Sequence, residues 1–168
     1  MQYFKLTEPR RHELMQSLAV MPLFLREVFA TLSPEEARLP GPYGTFSPVE
    51  QVWHLADLER EGFALRIRRL RTEIGPVLAN FDGATLARER DYKSLSLLAG
   101  LATFEASRRE NISSLQSLAP DEWTRSGMQE GVGPVMLCDI PAFLQQHDEA
   151  HTAEINEWRR TVGRSADA

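Results

Sequence analysis

A chain of 168 residues, 42% hydrophobic and 26% charged, has ordinary globular usage and lies far from the low-hydrophobicity, high-charge regime of disorder. It is long enough for one domain with a sizeable core, expected over residues 1–168. Nineteen Lys and Arg against 24 Asp and Glu leave a net charge of -5, which excludes the basic surface that phosphate backbones require, so no nucleic-acid partner is expected. The one cysteine, Cys138, excludes an internal disulfide and any cysteine-rich zinc site. Set in the apolar run Val135-Met136-Leu137-Cys138, it reads as a buried structural thiol, and a reducing cytoplasm is the expected compartment.

Apolar residues recur at spacings of three and four, beginning with Leu14, Leu18, Met21, Leu25, Val28 and Leu32. This predicts a first helix over about 9–32, kinked or restarted at Pro22, which removes a backbone donor and crowds the preceding turn. Its uncharged core, Ser17 to Leu25, is too short to span a bilayer, and Arg26-Glu27 stand where a signal-peptide cleavage site would be. No membrane partner is expected.

Ser47-Pro48-Val49-Glu50 has the form of a capping box with proline at the first helical position, so a second helix should run over about 48–72. Val49, Trp53, Ala56, Phe63, Ile67 and Leu70 form its predicted core face, and Arg66, Arg68, Arg69 and Arg71 its solvated end. A connection of about twenty residues, from Glu73 to Tyr92, follows; loops of that length are often functional or cross the end of a bundle. Helix three is predicted over 94–118, carried by Leu98, Leu101, Phe104, Ile112, Leu115 and Leu118. Gly127 to Gly133 brackets a short hairpin or an irregular lid. Helix four should start on Asp139 as its N-cap and close at Gly163. Together these elements describe an all-α four-helix bundle with one long crossover connection.

The seam of helix four reads Ile140, Leu144, His147, His151, Ile155, Trp158 and Val162, so two imidazoles stand one above the other and face inward. Buried together, they need either hydrogen-bond partners or a shared cation, because neither can be protonated cheaply beside the other. His54 lies about two turns into helix two, and His147 and His151 lie about two turns into helix four. If those ends stand at matching heights, three neutral nitrogens converge as in a first-row divalent-metal site with an open position. The bland reading of each is a hydrogen-bonded core histidine. His12, among Arg10, Arg11 and Glu13, reads as a surface residue. Glu154 stands one turn beyond His151 and Glu61 two turns beyond His54, where either could orient an imidazole or act as a base. Asp57 and Asp148 are expected in surface ion pairs. No serine stands at a legible distance from a histidine, and no glycine-rich phosphate loop follows a strand.

The order of these pieces resembles the DinB/YfiT-like metalloenzyme family. The resemblance rests on Leu32-Ser33-Pro34-Glu35-Glu36, Trp53-His54-Leu55-Ala56-Asp57-Leu58-Glu59, Leu118-Ala119-Pro120-Asp121-Glu122-Trp123 and His147-Asp148-Glu149-Ala150-His151, and covers nearly the whole chain. It implies a four-helix bundle, commonly homodimeric, with a divalent metal on His54, His147 and His151. Zinc or nickel would be the first candidates and iron or manganese the next. It also implies a small-molecule substrate and activation of a low-molecular-weight thiol for transfer to an electrophile, the thiol being a cosubstrate. Hydrolysis by metal-activated water, or a non-catalytic stress-related metal-binding role, stays open beside it.

Overall fold

The computed structural model describes residues 7–166 and is an all-α four-helix bundle with a small sheet at one end. The first rod is broken in two, α1 (Glu8–Leu18) and α2 (Val20–Phe29), with the break at Ala19. The cause is Pro22, three residues on, which has no N–H to give the carbonyl of Leu18. That carbonyl instead accepts from Arg108 Nη1 at 3.0 Å.

The second rod is α3 (Pro48–Asp57), a single π-helical turn (Leu58–Phe63) and α4 (Ala64–Thr72). Glu50 closes its start as the sequence predicts, accepting from the Ser47 backbone N–H at 3.0 Å and from the Ser47 hydroxyl at 2.5 Å. The π turn was not legible as a period, because one extra residue shifts the apolar register without erasing it. It coincides with buried Glu59, whose carbonyl accepts from Asn111 Nδ2 at 3.0 Å. The solvated-arginine expectation fails for Arg66, which is only 7% exposed: three residues after buried Phe63 and four before buried Leu70, it stands on the core side of the helix.

The third rod is α6 (Leu97–Gln116) and the fourth α7 (Ile140–Ala166). Ser96 caps α6, its hydroxyl accepting from the Ala99 N–H at 3.2 Å, so Leu98 falls on the outer side of the first turn and is 61% exposed rather than a core residue. Asp139 caps a 3-10 turn ahead of α7 instead of α7 itself, accepting from the Met136 N–H at 3.0 Å. Gly163 does not close α7, which continues to Ala166.

The segment between Glu73 and Tyr92 is structured. It contains the two-residue strand β1 (Val77–Leu78) and the helix α5 (Gly83–Glu89), whose N-cap Asp82 accepts from the Thr85 N–H at 3.0 Å. The segment around Gly127 to Gly133 is a hairpin, β2 (Ser126–Gln129) and β3 (Gly133–Met136). β1 pairs in parallel with β2, Val77 opposite Met128 and Leu78 opposite Gln129. A Cβ at Gly127 would strike the Pro76 carbonyl, so only glycine permits this approach. Crossover and hairpin are thereby fixed to each other over one flank of the bundle.

Two apolar clusters fill the interior. One gathers Leu18, Leu58, Phe63, Leu115 and Leu144; the other gathers Met21, Leu25, Leu55, Phe104 and Ile155. Buried Cys138 belongs to the first, as expected. The division crosses all four rods, and the residues between the clusters include buried polar ones: Glu59, Arg108, Asn111, Asp148 and His151.

Candidate metal centre

His54 from α3 and His147 and His151 from α7 meet at this polar level. Ring centroids are 5.6 Å apart for His54 and His147, 5.0 Å for His54 and His151, and 4.4 Å for the α7 pair. One nitrogen of each lies within 4.8 Å of the others. The four-residue spacing stacks the α7 pair on one face. The rods bring His54 to it because Gln51, one turn before His54, bridges to α7.

Gln51 Oε1 lies 2.6 Å from His151 Nδ1, and its Nε2 donates to Glu154 Oε2 at 2.7 Å. The reverse amide orientation would set its oxygen against a carboxylate, so the network makes His151 Nδ1 the protonated nitrogen. That leaves the lone pair on Nε2, which faces His147 Nε2 at 3.1 Å. Two nitrogens bound to one zinc at about 2.0–2.1 Å in tetrahedral geometry would stand about 3.3 Å apart. The α7 pair already has that spacing.

Burial, and then the charge of His151, pulls His54 down to about 4 and His147 down to about 3, so both are neutral at physiological pH. Neutral imidazoles are what a first-row divalent ion requires of its ligands. Glu154 is held down at about 2, chiefly by its hydrogen bond with His151, and is ionised beside the site. The donor set therefore fits a divalent metal.

The expected carboxylates separate. Glu154 orients His151 through Gln51. Glu61 goes elsewhere: its two oxygens accept from Arg90 Nη1 and Nη2, both at 2.8 Å. Asp57 and Asp148 are not surface residues. Asp57, 2% exposed, accepts from Arg90 at 2.5 Å and from the Tyr92 hydroxyl at 2.6 Å, tying the crossover's far end to α3. Asp148 accepts from both Nη atoms of Arg108 at 2.6 and 2.8 Å. Their shortest arginine contacts come from 33 and 40 residues away, which no local pattern announces, although Arg60, one turn on, also stands 3.6 Å from Asp57. His12 is exposed, as expected.

Sequence reasoning missed three further groups here. Gly83, the first residue of α5, lies against the Cε1–Nδ1 edge of His54; a Cβ there would collide with both atoms. Arg66 and Gln129 line a cavity of about 490 Å³ that opens on His54 and His147, walled also by Phe63, Phe81 and Phe143. Asn80 and Phe81 of the crossover and Gln129 and Val132 of the hairpin form its outer side, so both segments shape the approach to the imidazoles. Among the described residues no helix is long and apolar enough to cross a membrane.

Comparison with known proteins places this arrangement. Residues 24–155 match the model of the DinB superfamily. The chain is 28% identical over 152 residues to a protein of Geobacillus thermodenitrificans named "Putative metal-dependent hydrolase", covering 90% of this chain and 85% of that one. A Bacillus licheniformis protein of the same description is 27% identical over 143 residues, covering 84% and 81%. Among solved structures, YfiT from Bacillus subtilis, described as a probable metal-dependent hydrolase with an unusual four-helix bundle topology, superposes with a TM-score of 0.85. It is 19% identical, with 94% of this chain and 90% of that one covered. The mycothiol-dependent maleylpyruvate isomerase superposes at 0.73 with 12% identity, and the chain spans 92% of itself and 63% of that enzyme.

Proposed function

The chain belongs to the DinB superfamily, and on that premise we propose that it is a metal-dependent hydrolase of small molecules whose divalent ion is held by His54, His147 and His151. The observation that carries this reading is the convergence of three imidazoles, one with its tautomer fixed by Gln51 and Glu154, beside a cavity large enough for a small substrate. The relatives named as metal-dependent hydrolases support it.

When bound, the ion supplies Lewis acidity that brings water or a thiol into the ionisable range near neutrality. The chain does the rest. Gln51 keeps His151 Nδ1 protonated and its Nε2 free. Glu154, ionised, holds Gln51 in that orientation and puts negative charge beside the cluster, which favours a cation there. Phe63, Phe81 and Phe143 keep the cavity walls apolar and limit bulk water.

A second reading, activation of a low-molecular-weight thiol for transfer to an electrophile, draws support from the shared fold of the mycothiol-dependent isomerase. The same imidazoles and cavity would serve it. The test is elemental analysis of protein purified without a histidine tag, beside His147→Ala, followed by assay of the metal-loaded protein on ester and amide substrates with and without added thiol. Near-stoichiometric metal in the wild type, lost in the variant together with thiol-independent hydrolysis, is expected. Turnover only with consumption of thiol would replace hydrolysis by transfer; hydrolysis surviving in His147→Ala would refute the site.

A further inference from the structure

The cavity in front of His54 and His147 contains a cation that the protein leaves uncompensated. Arg66 is 7% exposed. Its Nε is buried and without a partner, and among the described residues no hydrogen bond or ion pair reaches its guanidinium. Its companion is the Phe63 ring, 5.4 Å from ring centroid to Cζ. Neighbouring arginines are treated differently: Arg69 is bonded to Glu73 and Arg71 to Glu122. Burial pulls the Arg66 guanidinium below the usual arginine value. In the lining of the same cavity Gln129, from the hairpin, also buries an unpartnered atom, Oε1.

Buried polar groups are almost always hydrogen-bonded, and an unpaired buried cation costs more than a neutral one. Two such groups, on elements far apart in the chain, line the cavity that two of the candidate metal ligands line. A ligand that completes both accounts for them. A planar guanidinium presents paired donors that match a carboxylate bidentately. A phosphate dianion would call for a second cationic side chain, and among the described residues Arg66 is the one arginine or lysine lining this cavity. The aromatic walls suit an apolar skeleton, and about 490 Å³ is within the range of small-molecule pockets.

We propose that this cavity takes a small carboxylate-bearing substrate, with the carboxylate docked on Arg66, a hydrogen-bond donor meeting Gln129 and the reacting bond turned toward His54 and His147. The inference rests on the reading of those histidines as the reaction centre, and its test separates the two.

Calorimetric titration with benzoate, benzamide and inorganic phosphate, on metal-free and zinc-loaded protein, covers wild type, Arg66→Met, Arg66→Lys and His147→Ala. Benzoate is expected to bind wild type with or without zinc, and benzamide about tenfold or more weakly, because a charged hydrogen-bonded pair is lost. Arg66→Met should lose about tenfold or more, and Arg66→Lys, which keeps the charge without the fork, should fall between. His147→Ala should lose metal yet keep benzoate, so failure of the metal site and failure of the carboxylate site are distinct results. Benzoate that needs zinc and binds Arg66→Met as well as wild type would put the carboxylate on the metal and overturn the proposal. So would phosphate binding tighter than benzoate, or no benzoate binding at all. Removing an uncompensated charge should leave the melting temperature of Arg66→Met no lower than wild type. A clear drop would assign Arg66 to holding the fold and also overturn it.

Discussion

The buried polar level of the bundle has two sides, and they are built on opposite plans. Around Arg108 every group is answered. The guanidinium donates to Glu59 at 2.9 Å, to both Asp148 oxygens and to the carbonyl that Pro22 frees, while Asn111 donates to the second Glu59 oxygen at 2.6 Å. Desolvation works against the Arg108 charge, but Glu59 and Asp148 outweigh it and its pKa is raised. Around the histidines, His54 Nδ1, Arg66 Nε and Gln129 Oε1 are all buried without partners. Polar groups of one interior are thus saturated where four rods must be held in register and left open where a cavity reaches them. Saturation is the mark of a structural network, and orphaned groups that of a site awaiting a ligand.

The comparison breaks most readily at its closed side. Arg108→Ala strands Glu59 and Asp148 in the interior and should cost about 3–5 kcal/mol, which in a chain of this size lowers the melting temperature by about 10 °C or more. Thermal unfolding followed by circular dichroism checks this, and an unchanged midpoint would mean that the cluster holds nothing in register.

Acid, a perturbation of comparable size, acts on the open side of metal-free protein. His54 and His147 have folded-state values near 4 and 3, below the ordinary 6.5, so the unfolded chain takes up protons that the folded one refuses. Stability is then full above pH 6.5 and falls as pH drops toward 4 and 3, by at most about 1.4 kcal/mol per pH unit for each histidine. Glu154, lowered from 4.5 to about 2, extends the loss in the same direction below pH 4.5. Denaturant titrations at several pH values should show a shallower acid slope in His147→Ala than in wild type.

Smaller effects sharpen which neighbours serve the imidazoles. Gly83→Ala forces the His54 ring or the start of α5 to move, and Glu154→Ala releases Gln51; each should weaken metal binding about tenfold in competition with a chelator, with little change in melting. Glu61→Gln should be the mildest, within about 0.5 kcal/mol in stability and without effect on metal affinity, because Glu61 is a partly exposed partner of Arg90. A loss of metal in Glu61→Gln equal to that in Glu154→Ala would reverse the assignment.

Much of this was legible. The Ser47-Pro48-Val49-Glu50 start, the interruption at Pro22 and the stacked His147 and His151 are local patterns, and the structure contains each of them. Asp57 and Asp148 misled because each is flanked by ordinary helical sequence and takes its main arginine from a distant segment, Arg90 of the crossover and Arg108 of α6. Leu98 misled because an apolar residue in a first turn points according to where the cap falls, and Ser96 put the cap one turn late.

Periodicity and capping are short-range, so the sequence alone determined four rods, the capped start of the second and the inward face of the histidine pair. Which carboxylate answers which arginine, why Leu18's carbonyl is not lost, and that Arg66 is buried with no partner were decided only when the rods packed. Long side chains reach past their own helix, and a buried charge takes its meaning from groups that only the tertiary structure brings within hydrogen-bond range.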